Sequence, residues 1–259
     1  MKKILIASGC SYTDPNFKSE FHPEMDCSWP MWPELLAEKL DMECINLGQS
    51  GQGQEYIFSS LTDTITAMTD YDRNRIGLII PAWTRSQRED FEVDWINPKW
   101  KHKRWISNGD AYYCIRKTLR YWFQLQVFCE LYNLTLKQVH MLNCLRFEDW
   151  EVPEWYRHSL PDTKKIYHAF ISSPYVEKLK KETFIGWPNI SNILSSPDWN
   201  SRKNSDLLCH RFALNSKVLN SGFIKGKDAH KINTRISELD LHPNKLGQEK
   251  IADYIYENL

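Results

Sequence analysis

The chain has no net charge, no Cys-x-x-Cys pair and no long apolar run, and each absence removes a class of function. Its 33 Lys and Arg balance 33 Asp and Glu across 259 residues, so there is no basic field to concentrate nucleic acid or anionic lipid. The short run Lys99 to Arg104, with Trp100 within it and Trp105 beside it, reads as a solvated loop with packed indoles rather than a nucleic-acid contact. Seven cysteines, an odd number without paired spacing, argue against a disulfide framework or a zinc knuckle and for a reducing compartment. Cys44, Cys129 and Cys144 fall in apolar runs, as buried thiols do. His22, His102, His140, His158, His168, His210 and His230 show no metal-ligand spacing, and neither a metal nor a cofactor is expected.

No apolar stretch approaches the roughly 20 residues of a membrane helix. Met1-Lys2-Lys3 ahead of Ile4 to Ala7, with Cys10 behind, imitates a lipid-modified export signal. Six residues separate Lys3 from Cys10, whereas the apolar region of a signal needs about 7 to 15. The expectation is a cytoplasmic protein that uses neither nucleic acid nor membrane. Its oligomeric state is not legible. The 42% hydrophobic share with 25% charge is that of an ordinary globular chain, and the 11 Trp are read first as core residues and only second as a sugar-binding groove.

What is present is an alternation of strand and helix signals. Ile4 to Ala7 predicts a buried strand. Pro33, tolerated in a first helical turn, opens a helix carrying Trp32, Leu35, Leu36 and Leu40. Cys44 to Leu47 predicts a second strand ended by Gly48, and Ile57, Leu61, Ile65 and Met68 mark one face of a helix over about 53–69. Ile76 to Ile80 predicts a third strand stopped by Pro81, followed by an irregular Trp-rich stretch over 83–110. The longest helix is expected over 111–133, with Leu119, Trp122, Phe123, Gln126 and Val127 apolar or inward. Val139 to Leu142 makes a fourth strand. The last helix, about 245–258, is capped by Asn244, with Leu246, Ile251 and Ile255 facing inward. Such alternation implies a parallel sheet covered on both faces. The stretch 145–235 breaks the rhythm with five prolines and one expected helix over about 162–182. We read one α/β domain, 1–259, with an insertion or lid at 145–235 that shapes a substrate cleft.

Three segments fall where chains leave strands or enter helices. Gly9-Cys10-Ser11 follows the first strand and can turn sharply enough to present a hydroxyl at the carboxyl edge of the sheet. Asn46-Leu47-Gly48-Gln49-Ser50-Gly51 ends the second strand and can direct backbone N–H groups at an anion. Asp240-Leu241-His242-Pro243 precedes the last helix and aims an imidazole as a base. Taken singly, Ser11 is a turn former, Asn46 to Gly51 a strand-to-helix turn and His242 a packed histidine. Cys10 is an alternative nucleophile.

In that order, these segments resemble the SGNH hydrolases, the GDSL-type esterase and lipase family, at the two ends of the chain. The resemblance implies an α/β three-layer sandwich with a parallel, flavodoxin-like sheet, and hydrolysis of an ester without a cofactor. The substrate is expected to be a small-molecule or carbohydrate ester, such as an O-acetyl group. It implies Ser11 as nucleophile, with Cys10 standing where the family has Asp, and His242 as base. The N–H groups of Ser11 and Gly48 become oxyanion donors. Two positions depart from the family. Its Gly-x-Asn-Asp block is absent, leaving Thr84, Arg85 or Gln87 to replace the Asn donor. The residue three before His242 is Leu239, leaving Asp240, Glu238 or no acid at all to orient the base. Arg85 and Arg88 are candidates to bind an acidic group of the substrate, or to pair with Glu89, Asp90 or Glu92.

Overall fold

The computed structural model describes residues 1–86, 88–93, 99–103, 111–142, 172–185, 234, 236–237, 239–240 and 242–259. Five strands form one parallel sheet: β1 (Ile4–Ser8), β2 (Glu43–Asn46), β3 (Ile76–Trp83), β6 (Gln138–His140) and β7 (Phe184–Ile185), in the order β2-β1-β3-β6-β7. An antiparallel hairpin, β4 (Glu89–Val93) with β5 (Lys99–Lys103), stands apart from it. Skipping that hairpin, the order is the 2-1-3-4-5 of a flavodoxin-like sheet, whose ligands bind beyond the carboxyl ends of the strands. The fold is therefore the expected α/β one.

Alternation along β1 builds the three layers. Ile4 and Ile6 face one cluster, with Ile57, Leu61 and Ile65 of α2 (Gln54–Ala67) and Ile115, Leu119 and Trp122 of α4 (Ala111–Leu131). Leu5 and Ala7 face the other, with Trp32 and Leu36 of α1 (Trp32–Lys39) and Ile251, Ala252 and Ile255 of α5 (Lys245–Glu257). Because a strand has period 2, each face of one β1 residue pair supports a separate helix layer. A short helix, α3 (Asp70–Arg73), capped by the Thr69 hydroxyl, leads into β3.

Several expectations change. β3 runs through Pro81 to Trp83 instead of stopping at Ile80. Pro81 lies opposite Ser8, the last β1 partner in the register, so its missing N–H falls where that ladder ends. Part of the irregular 83–110 stretch is the β4–β5 hairpin. The described end of the expected 162–182 helix consists of turns, with 3-10 segments at Val176–Lys178 and Lys181–Thr183, and the rest of it lies outside the described residues, as do Cys144 and most of 145–235. The two-residue β7 carried no periodic signal. Val127 is 43% exposed and Leu246 39%, both off the inward stripes: Leu246 sits two residues before Gln248, about 200° around a helix from it. Among the described residues, no helix is long and apolar enough to cross a membrane.

Candidate active site

Ser11 leaves β1 in a turn closed by hydrogen bonds from Thr13 N–H (2.8 Å) and Asp14 N–H (3.1 Å) to Cys10 O. The turn is too tight for a side chain at its start: a Cβ on Gly9 would stand 2.3 Å from Thr13 Oγ1. Cys10 points into the α1/α5 core, fully buried among Leu5, Ala7 and Trp32. That orientation corrects the alternative of Cys10 as nucleophile, since no reactant reaches a thiol there. Ser11 faces the other way and retains 8% exposure.

The segment before α5 is fixed along its length. Ile236 N–H donates to His242 O (3.0 Å) and Asn244 N–H to Thr234 O (3.1 Å). Asn244 Oδ1 caps the helix by accepting from Gly247 N–H at 3.0 Å. Glycine is required at 247, where a Cβ would lie 2.3 Å from Thr234 O. Gln248, one residue further, donates to Tyr12 O (3.2 Å) and accepts from Trp32 N–H (3.0 Å). It ties α5 and α1 to the turn carrying Ser11. The His242 ring packs on Phe17 and Tyr12, with centroids 4.5 and 5.1 Å away.

These supports bring Ser11, His242 and Asp240 together. His242 Nε2 lies 2.8 Å from Ser11 Oγ, and His242 Nδ1 lies 2.6 Å from Asp240 Oδ1. Asp240 is 1% exposed. Burial pushes its carboxyl up, but hydrogen bonds from His242 and Ser19 and the nearby imidazole outweigh burial, and the group lies below the ordinary carboxylate range. An ionised carboxylate only accepts, so Nδ1 carries the ring proton and Nε2 is left to accept the Ser11 hydroxyl proton. Glu238, the other candidate acid, lies outside the described residues.

The second segment is held against the first. Asn46 Nδ2 donates to Thr13 O and to Glu34 Oε1, each at 2.8 Å. Asp14 Oδ2 accepts from both the N–H (2.8 Å) and the hydroxyl (2.5 Å) of Ser50. Gly48 N–H donates to Asn46 Oδ1 at 2.9 Å, which corrects the expectation that it is open to an oxyanion. The glycine is needed for closeness: a Cβ there would be 2.5 Å from Thr13 C and 2.8 Å from Asp14 N. Among the described residues, the N–H groups of Ser11 and of Gly51, which has φ 82°, find no partner.

The chain after β3 carries Thr84, Arg85, Ser86 and Arg88. Gly9 approaches this edge, since its Cβ would lie 3.0 Å from Ala82 Cβ. Thr84 and Ser86 are fully buried, and among the described residues their hydroxyls have no hydrogen-bond partner. Arg85 is buried at 6% exposure. Arg88 donates from its guanidinium to Gln52 O at 2.9 Å and lies beside Asp90. Asp90 in turn accepts from Gly53 N–H (2.6 Å) and Tyr56 N–H (3.0 Å), capping α2 from outside that helix. Arg88 thereby fastens the hairpin to the start of α2, in keeping with the pairing to Asp90 that stood beside its reading as a substrate contact. Gln87 lies outside the described residues.

Ser19, His22, Ser237 and Asp14 complete the arrangement; of these the sequence reading named only His22, as a histidine without metal-ligand spacing. Asp14 had a local signal, an acid just behind the Ser11 turn. Ser19 and His22 had none, because their partners lie more than 200 residues away. Among the described residues, no group of three or more His, Cys, Asp or Glu is placed to hold a metal ion.

No family model matches the chain, and no curated protein does. Among solved structures, it is similar to a protein from Desulfitobacterium hafniense DCB-2 described as belonging to the lipolytic G-D-S-L family, with a TM-score of 0.44 and 14% identity over 99% of each chain.

Proposed function

We propose that the chain is a serine hydrolase that cleaves an ester by way of an acyl-enzyme, with Ser11 as nucleophile, His242 as base and Asp240 as the acid that orients it. The observation that carries the reading is the unbroken line Ser11 Oγ, His242 Nε2, His242 Nδ1, Asp240 Oδ1, with contacts of 2.8 and 2.6 Å. A serine hydroxyl is a weak nucleophile unless a base removes its proton. His242 Nε2 takes that proton as Oγ attacks the ester carbonyl, and the carbonyl electron pair moves onto oxygen. The imidazolium then protonates the departing alcohol as the C–O bond breaks, and water repeats the sequence on the acyl-serine.

The oxyanion donors we assign are the N–H of Ser11 and, in place of Gly48, the N–H of Gly51 in the same turn, which finds no partner among the described residues. The Thr84 hydroxyl is assigned the place of the absent Asn, because among the described residues it is unpaired and it leaves β3 at the edge where Ser11 leaves β1. A short acyl group such as O-acetyl on a carbohydrate or lipid is the substrate we favour. Arg85 is retained as a candidate contact to it.

A second reading, a ligand-binding protein without turnover, draws on the Gly48 N–H being held by Asn46 and on the burial of Thr84. One experiment separates the two. Wild type should react with a fluorophosphonate probe and hydrolyse p-nitrophenyl acetate, and Ser11→Ala and His242→Ala should do neither at a comparable rate. An unlabelled wild type, or activity untouched in Ser11→Ala, rules out the hydrolase reading.

A further inference from the structure

We propose that Ser19 is a positioning residue of the site, holding Asp240 so that its other carboxylate oxygen faces His242; this assignment rests on the hydrolase reading above. Asp240 Oδ1 receives both His242 contacts, from the ring Nδ1 and from the backbone N–H. Oδ2 faces away, in a side chain that is 1% exposed. The Ser19 hydroxyl makes a short hydrogen bond to it. A buried anionic oxygen without a donor is costly, so this contact completes, with the two from His242 to Oδ1, the hold on the charge and the rotation of the carboxylate.

The direction of the proton is fixed by the neighbours. Ser19 is 3% exposed, and its Oγ accepts from His22 N–H at 3.0 Å. Its own proton therefore goes to Asp240 Oδ2, which as part of a carboxylate can only accept. A second tie runs parallel. Ser237 Oγ accepts from Asp240 N–H (3.0 Å) and Leu239 N–H (3.2 Å), and lies 2.6 Å from His22 Nε2. With its acceptor sites occupied, Ser237 donates to that nitrogen. Residues 19 and 22 thus grip residues 240 and 237, but only the Ser19 tie touches the carboxylate.

The difference makes the role testable in the full-length chain. The readout is the second-order rate of fluorophosphonate labelling against pH, with the thermal midpoint measured alongside. Ser19→Ala is expected to label about tenfold more slowly, the scale of losing a hydrogen bond to a charged group. Its acid limb should move to higher pH. A carboxylate that loses a donor holds a proton more tightly. Ser19→Thr, which restores a hydroxyl, should return the limb toward the wild-type position. His22→Ala removes only the parallel tie, and should lower the thermal midpoint without moving the limb. In an Asp240→Asn background, Ser19→Ala should slow labelling no further.

Wild-type rate and limb in folded Ser19→Ala overturn the proposal while leaving the hydrolase reading intact. If Ser19→Ala does not fold, Ser19→Cys decides, because a weak thiol donor should give a shifted limb and an unshifted one overturns the role. A wild type that does not label overturns both readings together.

Discussion

A single oxygen, Asp240 Oδ1, meets His242 twice, 3.0 Å from its backbone nitrogen and 2.6 Å from its ring Nδ1. A side-chain oxygen accepting the N–H two residues on is an Asx-turn, which is open to Asp and Asn at that spacing. The turn folds the chain so that the same oxygen reaches the ring, which is how an acid two residues before the histidine comes to touch it. Asp240→Asn keeps the turn through its amide oxygen and removes the charge. The variant is expected to fold and, if the proposed triad operates, to lose roughly 10⁴ in kcat, because an amide favours the wrong tautomer of the base. Near wild-type turnover of p-nitrophenyl acetate would assign the reaction to a Ser11–His242 dyad.

Asp14 links the Ser11 turn to the Gly48–Gly51 turn through Ser50. Asp14→Ala takes the charged acceptor away from the exposed Ser50 N–H and hydroxyl, which water replaces in part, and should cost about 1 kcal/mol of stability. For a chain of this length, that is roughly 2 to 4 °C in Tm. Ser50→Ala keeps the backbone half of the contact and should cost less. Calorimetry on both variants checks the order, and equal losses contradict the account of Asp14 as a backbone clamp.

Thr84 separates stability from rate. Its hydroxyl is buried and unpaired among the described residues, so Thr84→Val should be at least as stable as wild type, because the orphaned polar group disappears. If that hydroxyl donates to the oxyanion, the same substitution should slow kcat by about 10² to 10³. Stability held with kcat unchanged would remove Thr84 from the mechanism.

The legible part of the molecule was the part written in local pattern. The apolar run Ile4 to Ala7, the period of α2 and α4 and the Asn244 cap each state their structure within a few residues. The order of the Ser11, Asn46 and His242 segments was legible too, since each sits where a strand ends or a helix begins. Contacts set by distant backbone were not. Nothing around Asp90 indicates that it caps a helix 34 residues earlier. Ser19 is the extreme case: its partner is 221 residues away, and no periodicity encodes such a pairing. β7, two residues long, is defined by its register with β6 rather than by any alternation of its own.

The core also holds a titration outside the site. His140, at the end of β6, packs on Trp122 and edge-on to Phe184, with centroids 4.6 and 5.5 Å away. Burial pushes its imidazole down to about 3, because a charged ring loses its hydration there. The unfolded chain binds a proton near pH 6.5 while the folded one does not, so stability is whole above about 6.5 and is lost as pH falls toward 3. At pH 5, the loss from this group is about 2 kcal/mol relative to pH 7.5. Asp90 has the opposite sign: burial raises its carboxyl, and hydrogen bonds from Tyr56 and Gly53 offset that only in part. Protonation of Asp90 therefore accompanies acidification in any variant, and it cancels when two variants are compared. His140→Leu keeps the residue apolar and of similar size. Urea unfolding at pH 7.5 and pH 5.0 should show wild type losing about 2 kcal/mol more than His140→Leu across that interval. Parallel losses in the two proteins would mean that the folded core accepts the proton on His140.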